Sequence, residues 1–221
     1  MLKKMSFVVA LAVMIALPLY AQNVPASLGA GRNGHQVCSG KGNTIVFTNL
    51  TGPLHHKYNN TTGYFVDGTN FFGQVLGGGF TPSSTVQFAD AYMPMGVYTN
   101  GGGDNRPGTL NVYLESDNGG QPGSVLDGPL PACNGISNFN DGLGGNFVEF
   151  NCVTCPTLNA GTTYWLVAQD ATPTAELTWD EVRGLTDTSS PFAFNQTNNA
   201  FGDWLIVPTG YSRMAYQIDG N

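Results

Sequence analysis

Apolar residues in this chain recur at every second position over short runs, and rarely at the three-to-four spacing of an amphipathic helix. Leu110, Val112 and Leu114 alternate with Asn111, Tyr113 and Glu115. That spacing predicts a half-buried strand with the first three side chains facing the core. Val148, Phe150 and Cys152 alternate in the same way with Glu149 and Asn151, and Met214, Tyr216 and Ile218 define one face of a last strand. Thr162–Gln169 (TTYWLVAQ) is apolar on both faces and therefore belongs in the middle of a sheet. Thr44–Leu50, Tyr64–Val66, Phe71–Leu76, Val125-Leu126, Glu176–Val182, Phe192–Phe194 and Trp204–Val207 supply further strands. Gly77-Gly78-Gly79 breaks the pattern before Phe80, and Pro94 and Gly96 mark Thr85–Tyr98 as an edge strand or a bulged one. Turns fall at Asp67-Gly68, Gly101–Gly108 and Asp117–Gly123. About ten strands separated by such turns predict an all-β chain, a two-sheet antiparallel sandwich of jelly-roll-like form. It occupies residues 44–221 as one domain, preceded by an irregular lead over 22–43.

The first residues change the picture of where the chain acts. Lys3 and Lys4 precede an apolar run from Phe7 to Leu19, which is too short for a comfortable membrane span and ends at Leu19-Tyr20-Ala21. This is the pattern of a signal peptide over residues 1–21, cleaved before Gln22, and it predicts a secreted product with no membrane insertion afterwards. Its removal takes two lysines and no acids, leaving six basic residues against fifteen acidic ones, a net charge of −9. So sparse a basic set cannot neutralise a phosphate backbone or grip an anionic lipid surface, which excludes nucleic acid as a partner. Only 10% of residues are charged while 11% are aromatic, a balance that suits a packed β domain and not a disordered chain.

Four cysteines follow the leader: Cys38, Cys133, Cys152 and Cys155. An even count in an oxidising compartment predicts disulfides. The Cys152-Val-Thr-Cys155 spacing also suits half a zinc site or a redox pair. Zinc needs a second pair or nearby histidines, however, and a redox pair should open a helix where Pro156 stands. The expected pairing joins Cys133 to Cys152 or Cys155 across the Gly/Asn-rich loop, with Cys38 taking the remaining partner. His35, His55 and His56 are poor ligand candidates, because neighbours on a strand point to opposite faces. Calcium is the cofactor best matched to the chain, through the oxygen donors of Asp104, Asn105 and Asp117 in loops. Turn chemistry competes for those same side chains. Glu115, Glu149, Asp180 and Glu181 are the acids from which a glycosidase-like carboxylate pair could be drawn. Tyr113, Trp179 and Trp204 are the candidate ligand-binding aromatics, and Tyr113 lies on the polar face of its strand.

One ordered series goes beyond composition. Phe80-Thr81-Pro82 is followed by Leu110–Asp117 running into Asn118-Gly119-Gly120-Gln121-Pro122-Gly123-Ser124-Val125-Leu126, and then by Leu158-Asn159-Ala160-Gly161-Thr162-Thr163-Tyr164-Trp165-Leu166-Val167-Ala168. Trp179 and Ala215–Gly220 complete it. The series resembles secreted bacterial choice-of-anchor R proteins, many of which carry a PEP-CTERM sorting tail, and it covers about residues 64–220. The resemblance implies an extracellular β-sandwich of unassigned activity. This chain stops at Ile218-Asp219-Gly220-Asn221 without an apolar tail, so covalent anchoring by that route is not expected.

These readings lead to a secreted, non-enzymatic β-sandwich with an interaction or structural role at the cell exterior, its partner a glycan, a matrix polymer or another copy of itself. A carbohydrate-active enzyme using a carboxylate pair is the alternative from another class, and a self-assembling surface or filament subunit is the third.

Overall fold

The computed structural model describes residues 44–50, 58–70, 73–97, 108–133, 146–174, 176–182, 187, 189–196 and 203–221. The leader and lead over 1–43, together with Cys38, His35, His55, His56, Asp104 and Asn105, lie outside the described residues.

Among the described residues there are thirteen strands and no helix. In chain order they are β1 (Thr44–Thr48), β2 (Tyr58–Asp67), β3 (Gln74–Phe80), β4 (Val86–Val97), β5 (Leu110–Asp117), β6 (Pro122–Asp127), β7 (Asn146–Asn151), β8 (Thr157–Leu158), β9 (Tyr164–Asp170), β10 (Glu176–Val182), β11 (Phe192–Gln196), β12 (Leu205–Ile206) and β13 (Gln217–Gly220). They form two antiparallel sheets. The first runs β1-β13-β4-β10-β2 with β7 and β8 also on β4, and the second runs β12-β11-β3-β9-β5-β6. The chain passes between the sheets at eight of the twelve connections between these strands, and each sheet buries one face against the other.

Strand parity sets the core. Leu110, Val112 and Leu114 of β5, Leu166 and Ala168 of β9, and Leu76 of β3 face inward from the second sheet, meeting Ala91, Met93, Met95, Val148, Phe150, Leu177 and Ile218 of the first. At the centre stands Tyr216, stacked on Phe47 at 5.0 Å between ring centroids and edge-on to Trp179 at 5.8 Å. Its hydroxyl donates to the Gly79 carbonyl at 2.7 Å, so the polar end of a fully enclosed ring is satisfied by the opposite sheet.

Three expectations need correction. The triple glycine does not break a strand; it is the middle of β3. A Cβ on Gly78 would lie 2.8 Å from Tyr216 Cε1, and one on Gly79 would lie 2.6 Å from Pro191 Cβ. Neighbouring side chains occupy the space that any other residue would fill. Secondly, of the two readings of β4 the bulged strand holds and the edge strand does not: β4 is the hub of its sheet, and its pairing with β13 shifts register between Phe88 and Asp90. Pro94 falls between Tyr92, the last residue paired with β13 when read from Phe88, and Met95, the first paired with β10, at a changeover of partners.

The third correction concerns the disulfides. Cys152 pairs with Cys155, with 5.0 Å between α-carbons. Cys133 is also disulfide-bonded, hence to neither of them, and the fourth cysteine lies outside the described residues. Register explains the outcome. Ala132 bridges Phe150 and the Cys133 N–H donates to the Glu149 carbonyl, so Cys133 runs beside β7 about three positions from Cys152. Three residues of strand span about 10 Å, beyond the reach of a disulfide. The Cys152–Cys155 turn is instead curled by the buried Asp127 carboxylate, which accepts from the N–H groups of Val153 and Thr154 at 3.0 Å and of Cys155 at 3.3 Å.

Candidate functional site

The outer face of the second sheet is where the candidate chemistry collects. Cross-strand register lays out two rows there. Ile206, Ala193, Gly77, Val167 and Tyr113 stand opposite one another across β12, β11, β3, β9 and β5. Gly79, Trp165, Glu115 and Val125 form the next row across β3, β9, β5 and β6. A second apolar cluster grows on this side, outside the main core: Val75, Trp165, Val167 and Ala193, with Tyr113 and Trp204 half-buried against it. Val125 and Ile206, at opposite edges of the sheet, are 54% and 45% exposed.

Trp165 organises this face. Its indole lies over Gly77 and Gly79 of β3. A Cβ on Gly77 would stand 3.4 Å from the ring and one on Gly79 3.3 Å, the second closer than ordinary packing allows. The roof is Pro122, where the β5–β6 turn enters β6, together with Trp204, just before β12; a Cβ on Gly77 would meet them at 2.9 Å and 3.6 Å. Trp165 is therefore fully buried although it points away from the core between the sheets. Asp117 ties the turn to the indole, accepting from Trp165 Nε1 at 2.8 Å and from the Gly120 N–H at 3.0 Å. Gly119 and Gly120 take φ of 68° and 89°, the left-handed region that favours glycine. Asp117, a candidate calcium ligand by sequence, thus spends its carboxylate on the turn and the tryptophan. Among the described residues no group of three or more His, Cys, Asp or Glu is arranged to hold a metal ion.

Of the three candidate aromatics, Tyr113 and Trp204 share this face and Trp179 does not. Trp179 is fully buried in the core, its Nε1 donating to the Ala215 carbonyl at 2.9 Å, so it cannot touch a ligand. Parity carried the signal: Leu177 and Trp179 alternate with Thr178 and Asp180.

Glu115 is the residue whose setting the sequence did not reveal. It is 9% exposed, between Trp165 and Val125 in the sheet, and among the described residues its carboxyl has no hydrogen-bond partner. Its oxygens are not among the fully enclosed unpaired atoms, so the carboxyl opens to solvent. Burial raises its pKa to about 7, because the charged form loses hydration without gaining a partner.

The acids do not combine as a carboxylate pair drawn from Glu115 and Glu149 would require, since the two residues lie on opposite outer faces of the sandwich. Glu149 instead faces the same way as Asp90 and Asp219 on the first sheet, where Asp90 stands directly across from Asp219 and Tyr92 across from Glu149. Asp90 and Glu149 are 0% and 1% exposed, not on an open surface. Burial, and then the charges of Asp90 and Glu149, raise Asp219 to about 6. Burial and the same two carboxylates also raise the Tyr92 phenol above its usual range. Asp90 and Glu149 therefore present almost no surface to a substrate.

The fold and this face define a two-sheet antiparallel β-sandwich with a solvent-side aromatic cluster on one sheet. Comparison of the chain with protein-family models, with curated proteins and with solved structures gives no match.

Proposed function

We propose that this protein is a secreted, non-enzymatic binding module, and that the outer face of the second sheet is its ligand surface, taking a glycan by stacking. The observation that carries this reading is the pairing of Tyr113 and Trp204, half-buried on one solvent-side face around the roofed Trp165, with Val125 and Ile206 exposed at its edges. Aromatic rings fixed by a sheet present apolar faces to the C–H faces of a sugar at little ordering cost. The net charge of −7, or −9 without the leader, favours neutral or cationic ligands over sulfated or phosphorylated ones. The N-terminal pattern supports action at the cell exterior, as does the resemblance to choice-of-anchor R proteins. Calcium has no part in this reading.

Filament formation by strand addition is less well supported. β6 ends the second sheet and exposes Val125 and Leu126, but its pairing with β5 is twice irregular, and bulges of this kind blunt an edge. A glycan array tests the proposal. Neutral or amino-bearing glycans should bind the wild type and not the Tyr113→Ala protein, whereas hits confined to sulfated glycans would overturn it.

A further inference from the structure

We infer that the ligand of this face carries an ammonium group, as an amino sugar does, and that Glu115 is the residue that receives it; this rests on the outer face of the second sheet being the binding surface. Glu115 is an uncompensated group. It is 9% exposed in an apolar row, and among the described residues its carboxyl has no partner, although it is not fully enclosed. A carboxylate in that setting costs free energy unless a donor or a positive charge meets it.

The described residues do not supply one. The outward side chains of β5, β9 and β6 around Glu115 include Tyr113, Asp117, Trp165, Val167, Pro122 and Val125, of which only Tyr113 and Asp117 ionise, and none is basic. Asp117 is already engaged by Trp165 Nε1 and the Gly120 N–H. Among the described residues the only lysine or arginine is Arg213, which is buried and donates to the carbonyls of Ser190 and Pro208.

A ligand that brings the missing charge gains a charge-assisted hydrogen bond to Glu115, and its cation also lies beside aromatic faces, Tyr113 above all. A neutral hydroxyl would satisfy one lone pair and leave the charge uncompensated. A sugar bearing a free amine supplies both a C–H face for stacking and an ammonium for Glu115, in one small unit. With its pKa raised to about 7, Glu115 in the free protein is partly protonated near neutrality, so a permanently cationic ligand binds more tightly as the pH rises through that value.

The test titrates the full secreted chain with glucosamine oligomers, with the same oligomers N-acetylated, and with N-trimethylated oligomers whose charge does not titrate. The wild type should bind glucosamine oligomers roughly tenfold or more tightly than the acetylated ones, a ratio set by one charged hydrogen bond. Glu115→Gln should erase that preference while remaining folded by thermal melt. Affinity for the trimethylated oligomer should rise between about pH 6 and pH 8 in the wild type and stay flat in Glu115→Gln. Equal binding of acetylated and free-amine oligomers, both abolished by Tyr113→Ala, would overturn the ammonium assignment and keep the glycan face. Binding of neither would overturn both.

Discussion

Replacing Glu115 with glutamine should make the protein more stable at alkaline pH, an uncommon outcome for losing a native side chain. The carboxyl has a pKa near 4.5 in an unfolded chain and about 7 in the folded one, and burial is the cause. The native state therefore holds a proton that the unfolded state has released between those two values. Stability contributed by the group is fully present below about pH 4.5 and is lost as the pH rises through about 7. A displacement of that size, at about 1.4 kcal/mol per pH unit, corresponds to about 3 kcal/mol of destabilisation carried by the wild type above pH 8. Glutamine has nearly the same shape and no charge to desolvate. Urea unfolding of both proteins at pH 4.5, 7 and 9 should give curves that coincide at the acidic end and separate by about 2–3 kcal/mol at the alkaline end, the variant being the more stable. Asp170 and Asp219, both raised to about 6 chiefly by burial, tilt both proteins toward acid stability and cancel in the difference. Parallel pH profiles would refute the claim that Glu115 sits unpaired in an apolar setting.

Asp127→Ala should destabilise the fold by about 3 kcal/mol, because the buried carboxylate accepts from Gly128, Val153, Thr154 and Cys155 N–H groups and the alanine leaves that nest unmet; chemical denaturation measures it. Trp165→Ala should cost about 3–5 kcal/mol and also loosen the Asp117–Gly123 turn, read as faster amide exchange at Gly119 and Gly120. Gly78→Ala should destabilise by about 1–3 kcal/mol, since the added methyl would meet the Tyr216 ring at 2.8 Å. Peptide mapping without reduction should recover Cys152 and Cys155 bridged within one short peptide, and a Cys133 link to either would contradict the register.

The strands were legible wherever one face is buried and the other is not. The alternation of β5 and β7 gave their inward residues directly, because a one-residue slip would turn a whole apolar set outward. Apolarity on both faces of β9 marked it as central, and it lies in the middle of the second sheet. What local pattern could not show was which faces become covered at long range. Glu149 reads as an outward acid, and it does point outward, yet it is enclosed. Glu115 likewise reads as a surface residue, and only the closeness of Trp165 and the β5–β6 turn makes it a buried one. The glycines of β3 were misread for a related reason. A glycine run weakens a strand by default, but here Trp165, Pro122, Pro191 and Tyr216 fill the space that the missing side chains leave. Loop closure alone does not choose the disulfide pairing; the strand offset that separates Cys133 from Cys152 does, and it is invisible in local sequence.

The central claim is that one face of the second sheet binds the ligand, and backbone amide shift mapping during titration with a glucosamine oligomer tests it most directly. Changes should be confined to Asn111–Asp117, Gly123–Val125, Trp165–Val167 and Trp204–Ile206, with Asp90, Glu149 and Asp219 on the opposite outer face unmoved. Shifts centred on that opposite face, or spread evenly over both sheets, would contradict it.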